Sequence, residues 1–349
     1  MTERRFDAAA ITDFARDCLI KHGLPQEPAD SVARGLVEAD LLGHATHGLA
    51  LLADYVEEIE EKRMEVQGRP AILADKGAVA TWDARRLPGI WTTDLAIAEA
   101  SRRAKQFGLG AVALRRSHHI ACLAAFLEKP ARDGQVVLVF SSDPGESKVA
   151  PAGAVTPVLM PDPIAVGIPG SPDPVLIDIS TSITTMALTS RTKREGGRMP
   201  GRWLIDAQGR PTDDPQMIDK GGALLPVGGV DHGHKGFGFG LLVEMLTQGL
   251  SGYGRVDKPT DWGAAVLVLV FDPASFGGLD PFLRQADFIA EACRAARPVS
   301  ADAPVRLPGQ AGLAKKRRAL KDGVPVNARI GQSLDGLSTK LGIALPRAL

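Results

Sequence analysis

The chain has 349 residues, of which 44% are hydrophobic and 23% are charged, and these ordinary contents exclude a disordered or fibrous protein. Lysine plus arginine equals aspartate plus glutamate at 41 each, whereas nucleic-acid-binding proteins usually carry an excess of basic charge, so no nucleic-acid partner is expected. The longest apolar run, Ala264 to Phe271, is too short to span a bilayer, so no membrane partner is expected either.

The cysteines and the amino terminus indicate a compartment. Cys18, Cys122 and Cys293 are far apart and odd in number, which suits neither a disulfide framework nor a thiolate zinc site. The first residues carry charge throughout and lack the apolar core of a signal peptide. We therefore expect a protein of the reducing cytoplasm.

Helices are predicted for the first sixty residues. Apolar residues recur at helical spacing from Ile11 to Leu19 and again after Pro28. A third amphipathic helix is predicted after the HATHG turn at 44–48. The side of this helix opposite its apolar stripe carries four acidic residues that are predicted to be solvated, Glu57, Glu58, Glu60 and Glu61.

The rest of the chain alternates between strands and helices. The order helix, strand, helix, strand is predicted over 89–107, 111–114, 120–134 and 136–140, which is typical of an α/β crossover unit. Short strands are predicted in the proline-rich segment that begins at Ser141, and a buried strand at 264–271. Further helices are predicted at 240–250, 280–296 and 335–341.

These elements predict an α/β fold with a central mixed sheet and a helical lobe built from both termini. We divide the chain into an amino-terminal part of the helical lobe at 1–75, a central α/β region that binds cofactor and substrate at 76–279, and carboxy-terminal helices that join the lobe at 280–349.

Two pairs of histidines are candidates for proton transfer near neutral pH: His44 with His47, and His118 with His119. His47 precedes an amphipathic helix, whose free amides favour an anionic substrate. His119 follows a strand and precedes a helix, the place where open α/β sheets bind ligands. The alternative is that each histidine is a hydrogen-bonded structural residue. No metal site is predicted, because HExxH spacing is absent.

Two further segments are candidates for phosphate or ribose binding. Lys235 stands beside Gly236, Gly238 and Gly240, although neither standard nucleotide fingerprint is present and the glycines could instead permit close helix packing. The segment from Asp178 presents small hydroxyl groups after a strand: Ser180, Thr181, Ser182 and Thr184. The basic residues that follow, Arg191, Lys193, Arg194 and Arg198, are predicted to form a solvated loop, with contact to a 2′-phosphate as the alternative.

Together these segments resemble the type 2 malate/L-lactate dehydrogenase family. That family also contains sulfolactate and ureidoglycolate dehydrogenases, diketogulonate reductase and reductases of cyclic imino acids. The matching segments are EADLLGHATHGLALLADY, RRSHHIACLAAF, IDISTS, GRWLIDAQGRPTDDP, GHKGFGFGLLVEML with LSG, and LPGQ, and they run from Glu38 to Gln310.

The resemblance implies a non-Rossmann dehydrogenase fold, NAD or NADP as cofactor, and a homodimer with active sites near the subunit boundary. It implies that Thr46, His47 and His119 contact the substrate. His47 is our first choice of proton donor, whereas His119 matches the histidine that is assigned as the acid/base residue in some members. It also implies cofactor contacts at the following positions: Ser142, Asp178, Ser180, Thr181, Ser182, Thr184, His234, Lys235, Gly309 and Gln310.

The chain also departs from the family pattern. Leu51 and Asp54 stand where many members have arginines, the first of which is suited to clamp a substrate carboxylate. The family's GTNP turn reads Met160-Pro161-Asp162-Pro163. These replacements change the polarity around the pocket. The substrate that the resemblance implies is a small anionic 2-hydroxy acid of the malate or lactate kind. The alternatives are NADPH-dependent reduction of a cyclic imino acid and a nucleotide-binding relative with altered catalysis.

Overall fold

The computed structural model describes residues 3–349. Its α-helices are α1 (Ala8–Lys21), α2 (Gln26–Leu42), α3 (Leu52–Glu60), α4 (Gly89–Phe107), α5 (Glu128–Arg132), α6 (Met186–Arg194), α7 (Gly229–Glu244), α8 (Leu279–Ala295), α9 (Gln310–Asp322) and α10 (Ala328–Leu341). Its strands are β1 (Arg4–Phe6), β2 (Ala71–Lys76), β3 (Val79–Asp83), β4 (Leu109–Ser117), β5 (Val136–Ser142), β6 (Ile164–Ile168), β7 (Val175–Ile179), β8 (Leu204–Ile205), β9 (Pro211–Thr212), β10 (Ala223–Leu224), β11 (Ala264–Phe271) and β12 (Val324–Val326).

Within residues 3–349, seven strands form the central sheet in the order β2-β3-β4-β11-β5-β6-β7. β3 and β4 are parallel, and every other neighbouring pair is antiparallel, so the predicted mixed sheet is confirmed. The apolar strand β11 lies in the middle, and β4 and β5 flank it. Because both flanking strands run antiparallel to β11, their carboxyl ends lie at the same edge of the sheet, with Ser117 beside Ala264 and Ser142 beside Ala265.

The predicted helical lobe contains elements from both termini. α1 packs on α2, α9 packs on α2, and α10 contacts α1 and α3. Strands β1 and β12 pair with each other, which ties the two ends of the chain together. Helix α8 is different, because Ala290 is its single buried residue and its main neighbour is the turn at Pro273–Ser275. The domain boundaries drawn from the sequence stay a prediction.

Some segments differ from the sequence-based expectations. The helix expected directly after the HATHG turn is preceded by two 3-10 turns, Ala45–His47 and Leu49–Leu51. The helix expected at 120–134 is a 3-10 turn, Leu123–Phe126, followed by the short α5. The basic segment expected as a loop lies largely in α6.

The start of α7 is the largest of these differences, because the helix begins at Gly229 rather than near Gly240 and bends at His232. Glycines have a low helix propensity, which hid the first turns from a sequence-based prediction. Here they permit close packing, since a side chain at Gly236 would come within 2.3 Å of the Val227 amide. The packing alternative therefore accounts for this buried glycine.

Candidate active site

A cavity of about 480 Å³ lies at the edge of the sheet where β4, β5 and β7 end. Its volume is within the usual range for small-molecule sites, and the ends of strands are the usual place for them in α/β proteins. The cavity is lined by residues of four segments, at 44–47, 119–123, 141–143 and 160–163, and by Asp178, Ser180, Thr185, Met186, Ala187, Trp262, Gly263 and Ala264. A larger cleft of about 1080 Å³ on the helical lobe holds neither candidate histidine.

His47 lies on this cavity, but the structure changes the reason for expecting an anion there. His47 ends a three-residue 3-10 turn, and α3 begins only at Leu52. The amide of Leu49 donates to Oδ2 of the buried Asp40 at 2.7 Å, so it is not free to hold a substrate. The argument from a free helix start at His47 is therefore wrong. Nδ1 of His47 is 3.0 Å from the hydroxyl of Thr46, which also lines the cavity.

His119 lines the same cavity as His47, and the two ring centroids are 6.1 Å apart. The close packing of Gly89 fixes this turn, because a side chain there would come within 2.5 Å of the His119 carbonyl. Nδ1 of His119 lies 3.0 Å from the hydroxyl of Tyr55, and the ring stacks on Trp262 with centroids 4.4 Å apart. In residues 3–349 no hydrogen-bond partner is found for Nε2, which is therefore available to a ligand.

The protonation of both histidines follows from their surroundings. Burial among protein atoms lowers the pKa of His47, and the nearby His44 lowers it further. Burial also lowers the pKa of His119 well below its ordinary value, with smaller contributions from His47 and His118. Both imidazoles are therefore neutral at neutral pH in the unliganded protein, and an anionic ligand would favour their protonation.

His118 has a structural position behind the cavity. Its side chain is 1% exposed, and its Nε2 lies 3.2 Å from Oε2 of Glu58. Burial lowers the pKa of His118, so this contact joins a neutral N–H donor to a carboxylate. The prediction that Glu58 is solvated is wrong, because this residue is only 8% exposed and its carboxylate also binds Arg63. For His118 the structural alternative is supported.

Three carboxyl groups line the same cavity: Asp143, Asp162 and Asp178. Burial raises the pKa of Asp143 to about 6, and it also raises the pKa of Asp178, whose Oδ2 accepts a hydrogen bond from the Ala124 amide at 2.9 Å. Asp162 is 0% exposed, and in residues 3–349 neither of its oxygens has a partner. Burial raises the pKa of Asp162 well above its ordinary value, with Glu244 and Asp143 adding to the shift. Burial therefore favours the uncharged form of Asp162.

Fixed positive charge is scarce in this cavity. No lysine or arginine of residues 3–349 lines it. Arg255 lies nearby, but its guanidinium binds the buried carboxylate of Glu244 at 2.7 Å and also the Asp143 carbonyl. The partly buried Leu51, which replaces the common family arginine, packs against the core instead of lining the cavity. An anionic substrate would therefore be bound by hydrogen-bond donors and imidazoles.

The predicted cofactor residues fall into three groups. Ser142, Asp178 and Ser180 line the cavity, although the Ser142 hydroxyl already contacts Thr247 at 2.6 Å and Gln248 at 3.0 Å. Three others lie buried beside it and do not line it, Thr181, Ser182 and Thr184. The remaining four lie outside the lining, His234 and Lys235 on an exposed side of α7, and Gly309 and Gln310 where α9 meets β7. Their proposed contacts stay predictions.

The residues around the cavity fit a nicotinamide cofactor beside a small acid. The hydroxyl of Thr184 is buried and has no partner in the described chain, which leaves a donor for a polar ligand next to the Ser180 turn. Exposed polar side chains of α6 and α7 extend outward from this turn. No helix in residues 3–349 is long and apolar enough to cross a membrane.

Sequence and structure comparisons identify the family and the fold of this chain. The sequence model of the malate/L-lactate dehydrogenase family matches residues 6–335. The L-lactate dehydrogenase of Cupriavidus necator is 29% identical and covers 99% of this chain and 100% of its own. The (2R)-3-sulfolactate dehydrogenase (NADP(+)) of Chromohalobacter salexigens is 33% identical over 84% of this chain and 86% of its own. A malate dehydrogenase structure from Entamoeba histolytica, 22% identical, shares the fold with a TM-score of 0.93 over 99% of this chain and 100% of that one.

Proposed function

Because the chain belongs to the malate/L-lactate dehydrogenase family, we propose that it is an NAD(P)-dependent oxidoreductase that interconverts a small 2-hydroxy acid and its 2-keto acid. One observation carries the proposal beyond the family: two imidazoles with lowered pKa values, those of His47 and His119, line one cavity with their ring centroids 6.1 Å apart. This arrangement suits a substrate whose oxygen exchanges a proton while its carbon exchanges a hydride. The bound nicotinamide would supply the hydride chemistry.

His119 is the stronger candidate for the acid/base residue. Its Nδ1 is held by Tyr55, and its Nε2 is free to face the substrate oxygen. In the oxidative direction neutral His119 takes the hydroxyl proton, and in the reductive direction protonated His119 returns it. His47, beside Thr46, then holds the substrate's carboxylate or keto oxygen. His47 was preferred as proton donor because free amides were expected at the start of the following helix. The Leu49 amide is bound to Asp40 instead, so this reason no longer applies.

The lining supports a substrate with one carboxylate. Binding a second anionic group usually requires an arginine or lysine, and none lines the cavity in residues 3–349. A lactate-like acid is therefore favoured over malate. A cyclic imino acid is the second candidate, because the carboxyl groups of Asp143 and Asp178 are suited to a substrate with a cationic nitrogen.

The cofactor would be held along the turn after β7. Ser180 and Thr185 belong to the cavity lining, and Lys235 on α7 is the candidate partner of the pyrophosphate. For a 2′-phosphate, the basic end of α6 is the candidate. There Lys193 already pairs with Asp219 at 2.7 Å, whereas Arg191 and Arg194 are exposed. These two exposed arginines could bind the 2′-phosphate, so the proposal includes NADP as well as NAD.

A homodimer is supported by an apolar surface on α7 and the turn that follows. Phe239, Leu242 and Met245 recur at helical spacing and are 53%, 45% and 60% exposed. Patches of this kind mark interaction sites, and a second copy is the occupant that the family resemblance implies. The three cysteines lie in the described chain without a disulfide, which suits the proposed cytoplasmic location.

The proposal is tested by the absorbance of reduced nicotinamide. We expect NADH or NADPH to be oxidised when pyruvate or another 2-keto monocarboxylate is added, with slower turnover of oxaloacetate. Preferred turnover of a cyclic imine would support the second candidate instead. Tight binding of NAD(P)H without turnover of any compound would indicate a relative with altered catalysis, and no binding of either cofactor would refute the proposal.

A further inference from the structure

An aromatic cluster encloses the buried side of His119. Trp262 stacks on its ring at a centroid distance of 4.4 Å and an interplanar angle of 25°. Tyr55 approaches the ring edge, and its own ring contacts Trp262 at 5.7 Å. Trp262 also lines the cavity, whereas Tyr55 is 1% exposed. Neither residue was among the site residues predicted from the sequence.

The hydrogen bonds of Tyr55 determine which nitrogen of His119 carries the proton. The Tyr55 hydroxyl has one hydrogen and makes two contacts, with His119 Nδ1 at 3.0 Å and with the His119 carbonyl at 3.2 Å. A carbonyl only accepts, so when both contacts are hydrogen bonds the hydroxyl donates to the carbonyl and accepts from an Nδ1–H. The Ala121 amide also approaches Nδ1, but at 3.4 Å, which is outside the usual hydrogen-bond range. This scheme leaves the lone pair of Nε2 facing the cavity.

The stacking of Trp262 acts on the charged form of His119. An indole face attracts a cation, and the attraction is stronger where water is excluded. The other titratable groups around His119 are His47 and His118, and the shared cavity also contains His44, Asp143, Asp162 and Asp178. No carboxylate of the described chain bonds to the His119 ring, so the protein groups in direct contact that stabilise the imidazolium are the indole face of Trp262 and the hydroxyl of Tyr55.

We propose that Tyr55 and Trp262 are positioning residues for His119, with Tyr55 fixing the Nδ1–H tautomer and Trp262 stabilising the protonated ring. The proposal rests on the proposed function, in which His119 exchanges the substrate proton. Neutral His119 is then ready to accept a proton at Nε2, and protonated His119 is stable enough to return it. Neither residue takes part in the proton transfer itself.

The tautomer is tested on the unliganded protein by ¹⁵N NMR of the imidazole rings, with the signals of His119 assigned from a His119→Asn sample. We expect a protonated Nδ1 in the native chain and loss of this preference in Tyr55→Phe. Tyr253→Phe is the matched control, because Tyr253 is the chain's other tyrosine and does not line the cavity. A protonated Nε2 in the native chain would overturn the Tyr55 assignment whether or not the proposed reaction occurs.

The role of Trp262 is tested by pH profiles in both directions. Trp262→Leu should lower reductive kcat/KM at neutral pH roughly three- to ten-fold, the size of a partly desolvated cation–π contact, and Trp262→Phe should recover most of it. The acidic limb of the oxidative profile should move to lower pH in Trp262→Leu. Trp203→Phe, at a partly buried tryptophan of a separate cluster, is the control.

Two results would overturn the Trp262 assignment. One is a native-like profile in a folded Trp262→Leu protein. The other is an equal loss in both directions at every pH, with no recovery in Trp262→Phe, which would indicate a purely structural role. If the native enzyme turns over no substrate, the proposed function fails, while the NMR experiment still decides the tautomer.

Discussion

Asp162→Asn should stabilise the protein, and the gain should grow as the pH rises. Asp162 is fully buried, both of its oxygens lack partners in the described chain, and its φ of 39° lies in a region that asparagine tolerates. Burial raises the pKa of Asp162 in the folded state. The folded protein therefore holds a proton that the unfolded chain releases above its ordinary pKa of about 3.9.

The sign and size of the effect follow from this difference. Because the folded-state pKa of Asp162 is raised, its contribution to the stability of the native protein is fully present below the unfolded-state pKa. That contribution is lost as the pH rises towards the folded-state pKa. Over that window one such group changes the free energy of unfolding by at most about 1.4 kcal/mol per pH unit. Asparagine does not titrate, so the variant lacks this contribution.

The measurement is urea unfolding of both proteins at about pH 5 and about pH 7.5. Subtracting one protein from the other removes the contributions of Asp143 and Asp178, whose pKa values are also raised by burial. The variant should gain stability relative to the native chain between the two pH values. A constant difference, or a variant that becomes relatively less stable at the higher pH, would refute the raised pKa of Asp162.

Three further predictions concern the site and the assembly. His47→Asn should raise the KM for the 2-keto acid more than it lowers kcat, as steady-state kinetics would test; a loss confined to kcat would make His47 the proton donor instead. Lys235→Ala should weaken NAD(P)H binding about ten-fold or more in a fluorescence titration, since a charge-assisted contact is worth about 1.5–3 kcal/mol, and unchanged binding would remove Lys235 from the site. Met245→Asp should dissociate the proposed homodimer in sedimentation experiments, whereas a native chain that sediments as a monomer at micromolar concentration would contradict the dimer.

The secondary structure was predictable where local patterns determine it. The apolar spacing of α1 and α2 and the apolar run of β11 identify these elements. The turns after β4 and β7 were predicted because each directly follows a short apolar run that reads as a strand. The family resemblance was also correct, because its motifs occur in order along nearly the whole chain. Segments that depend on tertiary contacts were harder, as the glycine-rich start of α7 shows.

The site was predictable in part. Residue type and position at the strand end identified His119, but nothing local indicates that Tyr55 and Trp262 pack around it. Glu58 lies on the polar side of an amphipathic helix, and its burial results from the partners His118 and Arg63. The raised pKa of Asp162 depends on its neighbours in space, although the unusual MPDP turn marked the position as different.

The central claim is that His119 exchanges the substrate proton, and a single-turnover experiment tests it most directly. Native enzyme loaded with NAD(P)H is mixed with its preferred 2-keto acid, and the loss of reduced-nicotinamide absorbance is compared with that of His119→Asn. We predict a rate lower by about 10²–10⁴ in the variant, the usual cost of removing a positioned acid/base group, with cofactor affinity unchanged. Hydride transfer at the native rate in a folded, cofactor-bound His119→Asn protein would contradict the claim.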